Sequence, residues 1–227
     1  LLRQPGPEIP HDDHLHLRIL CARADIGGGC EDRGGADPAQ VAAIRSARLA
    51  QALAFLRSGR PEVRRVAIER VAMLAGPSRA EALRPLLADP VPRVRAAAVA
   101  ALADLAPGKT GPWLLERWEE EHDSAVQRAM LEAAAHLSGD AADSLVRAGL
   151  AMRTPVTIAG KPADLRSVAL NAAFRGRRVA TLPAIIPMLA DPSLAIRDTA
   201  ELALRVLTAR EEARADRPGD PQAWASL

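Results

Sequence analysis

The sequence has no Tyr, two Phe and three Trp among its 227 residues. Ala and Leu must therefore fill any core, as they do where helices pack closely. It has no surplus of one charge: 30 Lys and Arg against 28 Asp and Glu leave a net +2, too little to imply a polyanionic partner. No apolar run approaches the roughly 20 residues that a membrane span needs. There is no initiator Met and no signal peptide, and the chain opens on Leu1-Leu2 as if cut from something longer, so compartment stays open on this ground. A Gly-rich phosphate loop, a Ser or Cys nucleophile motif and HExxH are all missing from the body of the chain. Gly27 to Gly35 lacks both the Lys and the strand–helix setting of a phosphate cradle. What is present, 48% hydrophobic and 26% charged residues, fits a folded soluble protein of one large domain or two small ones.

The strongest internal signal is a repeat. Leu86 to Leu105 ends one helix, turns through Asp89-Pro90 and opens an Ala-rich helix near Val91. Aligned on Val94-Arg95, the pattern returns at Val63-Arg64, Val126-Gln127, Leu165-Arg166 and Ile196-Arg197, with spacings of 31, 32, 39 and 31 residues. A period near 30 with two helices per unit predicts an all-α solenoid of about five helix pairs over residues 37–210. Asp37-Pro38 is a helix start, with Asp as N-cap and Pro in the first turn. Ser58 to Pro61, Gly76-Pro77, Pro107-Gly108 and Gly139 break the helices. The third pair is placed from Pro112, and Thr154 to Pro162 reads as a long connection that stretches the fourth. Trp113 and Trp118, five apart on one helix, point to different faces, and one of them is assigned to the core. His122 and His136 show no partner at metal spacing. Residues 211–227, polar and rich in Pro, read as a flexible tail carrying Trp224.

Residues 1–36 differ in kind. After a Pro-rich start comes His11-Asp12-Asp13-His14-Leu15-His16-Leu17-Arg18-Ile19-Leu20-Cys21. From His14 to Ile19 polar and apolar residues alternate, which predicts a half-buried strand with His14, His16 and Arg18 on one face. Such a strand can present two imidazoles to one metal ion, or serve as a solvent-facing edge. Five Gly between Gly27 and Gly35 form a hinge before the repeats.

This His-rich run, followed by a Gly-rich loop and Cys30, resembles the C-terminal end of penicillin-insensitive murein endopeptidases, a family of zinc peptidases. The resemblance implies that residues 1–36 are the remnant of an α+β peptidase domain, with His16 as a zinc ligand, His14 assisting the catalytic water or transition state, and His11 as a further active-site residue. It implies a periplasmic location and peptidoglycan peptide cross-links as substrate. The family's first zinc motif, a His and an Asp, does not precede His11, so the other ligands would come from outside this sequence. In that setting Cys21 and Cys30 are expected to form a disulfide; a site shared with His14 and His16, or two free thiols, are the alternatives.

The paired helices with Asp-Pro in the turn and Val-Arg opening the second helix resemble short bacterial HEAT repeats. That family implies a ladder of turn Asp and helix Arg between neighbouring repeats, which by spacing pairs Asp89 with Arg95 and Asp191 with Arg197. Gly160 to Arg166 lacks the acid, and Ser58 to Arg64 and Glu121 to Gln127 are weaker versions. Two functions follow as expectations. One is the back half of a periplasmic zinc murein endopeptidase whose solenoid holds an unknown protein partner on its concave face. The other is a stand-alone protein-interaction scaffold without catalysis. A nucleic-acid partner is disfavoured by the near-neutral charge and the scarcity of aromatics.

Overall fold

The computed structural model describes residues 38–158 and 160–208. The contacts divide the chain between Ile44 and Arg45, inside the first described helix, and the repeats from Arg45 onward belong to one unit. It is all-α apart from one small hairpin.

Five helix pairs follow one another. The first is α1 (Pro38–Phe55) with α2 (Pro61–Leu74). The second is α3 (Ala80–Leu83) with α4 (Pro92–Leu105), and the third α5 (Pro107–Trp118) with α6 (Ser124–Ala134). The fourth is α7 (Asp140–Leu150) with α8 (Leu165–Arg175), and the fifth α9 (Leu182–Ile185) with α10 (Leu194–Thr208). Proline stands in the first turn of α2, α4 and α5, where its missing N–H removes no intrahelical bond. Pro85 and Pro187 act differently. Each lies where an α-helix would continue, and the chain tightens there into 3₁₀ turns at Arg84–Ala88 and Ile186–Ala190. This is why α3 and α9 are single turns.

The second helices stack in chain order, α2 on α4, α4 on α6, α6 on α8 and α8 on α10, the nearest-neighbour packing of a solenoid. Small residues let the backbones approach: Ala67, Ala98, Ala134, Ala169 and Ala200 are buried along this row. Gly149 of α7 packs tightly against this row: a Cβ there would lie 2.7 Å and 2.8 Å from the Leu131 methyls and 3.1 Å from Ala169 Cβ. Both Trp113 and Trp118 are buried, not one of them. Arg84 covers the Trp113 ring at 5.3 Å from its centre.

Two local expectations from the sequence are corrected. Helix α5 starts at Pro107 and runs through Pro112. The Thr110 hydroxyl donates to the carbonyls of Leu102 (2.7 Å) and Ala106 (2.9 Å), tying the new first turn to the end of α4. The long connection of the fourth pair is a hairpin of β1 (Pro155–Ile158) and β2 (Lys161–Asp164), antiparallel with Ile158 opposite Lys161. Gly160 takes φ +77°, a conformation that glycine adopts at little cost. Val156 is buried and β1 lies against α6, so the insertion packs on the array.

Helix α8 ends in a Schellman motif. Arg178 N–H donates to Ala173 O (2.9 Å) and Arg177 N–H to Phe174 O (3.2 Å), with Arg177 at φ +51°. The Arg178 side chain is thereby aimed inward. Its Nη1 meets Asp143 at 2.6 Å, and its Nη2 donates to the carbonyls of Ala134 and Leu137 at the end of α6. A Cβ on Gly176 would stand 2.8 Å from Arg178 Nε, so only glycine leaves room for this arrangement.

Candidate interaction surface and the carboxylate ladder

At each turn between paired helices a polar side chain caps the backbone two residues on. Asp89 accepts from Val91 N–H (2.9 Å), Glu121 from Asp123 N–H (2.8 Å), Asp164 from Arg166 N–H (2.8 Å), and Asp191 from Ser193 N–H (2.9 Å). Ser58 accepts from Arg60 N–H (3.2 Å) in the first repeat. Six residues beyond the turn position, the aligned Arg or Gln returns to its carbonyl. Arg64 reaches Ser58 O (2.8 Å), Arg95 reaches Asp89 O (2.8 Å), Gln127 reaches Glu121 O (2.7 Å), and Arg197 reaches Asp191 O (2.7 Å).

The pairing of Asp89 with Arg95 and of Asp191 with Arg197 is therefore made through the backbone, not through the carboxylate. The physical reason is the cap: each carboxylate turns back over its own turn and faces the preceding repeat. Asp89 takes Arg64 in a two-pronged contact (2.7 and 2.8 Å), and Glu121 takes Arg95 in the same way (2.6 and 2.8 Å). Arg166 reaches Asp191 across the fourth junction. It also holds Asp164 (3.0 and 2.8 Å), which fills the place left by Gly160. Glu121 is thus a full rung, although its sequence context reads as degraded. Gln127 is the uncharged interruption.

These carboxyls ionise more readily than usual. Burial pushes Asp89 up, but the Arg64 hydrogen bond, the Val91 amide and the charges of Arg64 and Arg95 more than reverse it. Glu121 is likewise raised by burial and brought below its ordinary value by Arg95 and the amides of Asp123 and His122. Burial of Asp164 is outweighed by the side chain and amide of Arg166, and burial of Asp191 by the Ser193 amide, Arg166 and Arg153. A folded pKa below the unfolded values of about 3.9 for Asp and 4.3 for Glu stabilises the fold above those values and loses that contribution as pH falls through the folded ones. The urea midpoint is expected to be level from neutral pH down to about pH 5 and to drop below about pH 4. A midpoint that rises on acidification would contradict the ladder.

Between the junctions the second helices show solvent a repeating face. Five residues beyond the aligned Arg or Gln stand Glu69, Ala100, Glu132, Asn171 and Leu202; nine beyond stand Met73, Asp104, His136, Arg175 and Val206. All are exposed, and residues four apart share a helix face. The row begins with Glu69 beside Met73, which is 75% exposed, carries further carboxylates at Asp104 and Glu132, and ends in two aliphatics, Leu202 at 49% and Val206 at 41% exposure. At the starts of α2, α4 and α6 a groove of about 540 Å³ is lined by Pro61, Glu62, Arg65, Pro92, Arg93 and Asp123 among others. Its charges are mixed, and Arg65 is held by Glu69 and Asp123 by its own helix start.

His11, His14, His16, Cys21 and Cys30 lie outside the described residues, as do the 1–36 remnant and the 211–227 tail. Among the described residues no three His, Cys, Asp or Glu come together in a way that could hold a metal ion. No described helix is long and apolar enough to cross a membrane. His122 and His136 are both exposed.

No curated protein matches the sequence. Residues 49–135 match the family of HEAT repeats. A solved structure with a similar fold is the complex of CpcE and CpcF of phycocyanin lyase from Nostoc sp.; the likeness has a TM-score of 0.57 and 22% identity, and covers 71% of this chain and 65% of that one. The chain thus spans just under two thirds of that relative's length. Sequence match and structural likeness agree on the architecture: residues 49–135 carry HEAT repeats within an α-solenoid.

Proposed function

We propose that the array is a protein-interaction scaffold. The observation that carries this reading is the exposed face of the stacked second helices, which presents carboxylates at Glu69, Asp104 and Glu132 and apolar side chains at Met73, Leu202 and Val206. An extended face of this kind suits a protein segment better than a small molecule. The similar structure from Nostoc is itself a complex of two proteins, which supports the same reading. The test is a photo-reactive residue placed in living cells at Glu132, at Leu202 and, on the other side of a repeat, at exposed Glu81. Crosslinks to one protein from Glu132 and Leu202 but not from Glu81 are expected. Crosslinks from Glu81 alone, or from none of the three, would refute it.

A second reading rests on His11 to Cys21, whose sequence favours the tail of a periplasmic zinc murein endopeptidase acting on peptidoglycan cross-links. In it the array would tether the enzyme to a partner, His16 would bind zinc, and zinc would supply an activated water. Cys21 and Cys30 would form a disulfide, and His11 and His14 would serve the reaction. On this reading a protein carrying the whole peptidase domain is expected to lose zinc and muropeptide cleavage together in its His16→Ala variant; full cleavage by that variant would end this reading.

A further inference from the structure

We propose that the array has a built-in joint between its third and fourth repeats, and that the hairpin of β1 and β2 is the strap that closes it. Such a joint does not depend on what the exposed face binds. Three other junctions are held by an ion pair at the start of the second helices. Arg64 closes the first on Asp89, Arg95 the second on Glu121, and Arg166 the fourth on Asp191. A charge-assisted contact of this kind fixes both distance and direction. The third junction has no such rung. Gln127 stands in the Arg position and is engaged with Glu121 O of its own repeat (2.7 Å). Asp164, the acid that follows, is held by Arg166 of its own repeat (2.8 and 3.0 Å).

What crosses the third junction lies elsewhere and is of another kind. Among the described residues, side-chain hydrogen bonds across it come from Arg178, which donates to Ala134 O and Leu137 O at the far end of α6. Ala134 stands seven residues beyond Gln127, roughly 10 Å further along the helix axis. Between the two, Gly149 faces Leu131 and Ala169, an apolar contact. At the turn edge, where the rung is missing, β1 lies on α6 with Val156 buried, and Ile158 and Ala163 pack half-buried on the core. The hairpin is tied to its own repeat, since Leu165 N–H donates to Thr154 O (2.8 Å). Its contact with α6 is apolar.

Apolar packing is not directional and lets packed helices slide by small amounts, which a two-pronged ion pair resists. With Arg178 as the pin, the junction opens and closes at its turn edge, and the hairpin travels with α8 while Val156 shifts on α6. Helices α2, α4 and α6 then move as one body, α8 and α10 as another. The exposed row bends between Glu132 and Asn171.

Pulsed electron spin resonance on the full chain tests this, with spin-labelled unnatural residues so that Cys21 and Cys30 stay untouched. One pair of labels at Glu69 and Glu132 spans the first and second junctions. Another at Ala100 and Asn171 spans the second and third. All four positions are exposed and equivalent in their helices. The Ala100–Asn171 distance distribution is expected to be at least about 1.5 times as wide as the Glu69–Glu132 one. Arg95→Gln with Glu121→Gln removes the second rung without stranding a charge, and should widen the Glu69–Glu132 distribution. Val156→Ala should widen Ala100–Asn171 and leave Glu69–Glu132 as it was. Circular dichroism verifies each fold; should one variant not fold, the other and the wild-type comparison still decide. Equal widths in the wild type overturn the joint, and so does a Glu69–Glu132 width that ignores loss of the second rung. An Ala100–Asn171 width unchanged by Val156→Ala overturns the strap.

Discussion

Arg166→Ala is expected to be among the most damaging single changes in the array, lowering stability by about 3–5 kcal/mol. The side chain is 7% exposed and Asp191 5%, so the contact is largely removed from water. Removing the Arg strands two carboxylates at once. Asp164 loses both of its guanidinium contacts, and Asp191 keeps only the Ser193 amide and the distant Arg153 at 3.6 Å. The coulombic loss is compounded by the desolvation that both acids have already undergone. Urea unfolding followed by circular dichroism measures the effect. An Arg166→Ala midpoint indistinguishable from wild type would show that the junction between the fourth and fifth repeats is held by apolar contact alone.

The second large effect is expected at Arg178, for a different physical reason. Its guanidinium joins the end of α6 to α7 by filling two carbonyls, Ala134 O and Leu137 O, and pairing with Asp143. Arg178→Ala leaves these helix-end carbonyls and a mostly buried carboxylate without their donor, and opens the space of a long side chain. A loss of about 2–4 kcal/mol is expected. Arg177→Ala, at an exposed neighbour, serves as the control and should cost less than about 1 kcal/mol. Equal effects from the two changes would count against the clamp.

Arg166 and Arg178 differ in how far a single sequence reveals them. Val-Arg and Asp-Pro at a period near 30 residues are enough to place the five pairs, because each repeat must solve the same turn and the same stacking. The direction of the ladder is harder to read. A spacing of six between Asp89 and Arg95 is a true contact, but it runs through a carbonyl, which every residue has. The informative spacing is 25 or 26, and it crosses a junction whose geometry no local pattern reveals. One clue does exist: a turn carboxylate that caps its own backbone is free to turn toward the preceding repeat, as Asp89, Glu121 and Asp191 do.

Arg178 carries no such clue. It sits in Gly176-Arg177-Arg178, which reads as a solvated loop, and only the left-handed Arg177 aims it inward. The hairpin is also concealed, since its strands are four residues each and Val156 alone is buried. Pro112 misleads for the opposite reason: a proline marks a helix start more often than it tolerates an interior position. As for function, the residues with the most distinctive chemistry, His11 to Cys21, lie outside the described residues, and the exposed face of the array speaks through repetition and not through any single motif.

The central structural claim is that Arg64, Arg95 and Arg166 each belong to the acid of the next repeat. Two double-mutant cycles on the second repeat test it most directly. Arg95→Gln retains a donor for the Asp89 carbonyl and gives up the carboxylate contact, so it can be combined with Glu121→Gln in one cycle and with Asp89→Asn in the other. The ladder predicts a coupling of about 1.5–3 kcal/mol between Arg95 and Glu121 and less than about 0.5 kcal/mol between Arg95 and the Asp89 carboxylate. Strong coupling to Asp89 with none to Glu121 would contradict it.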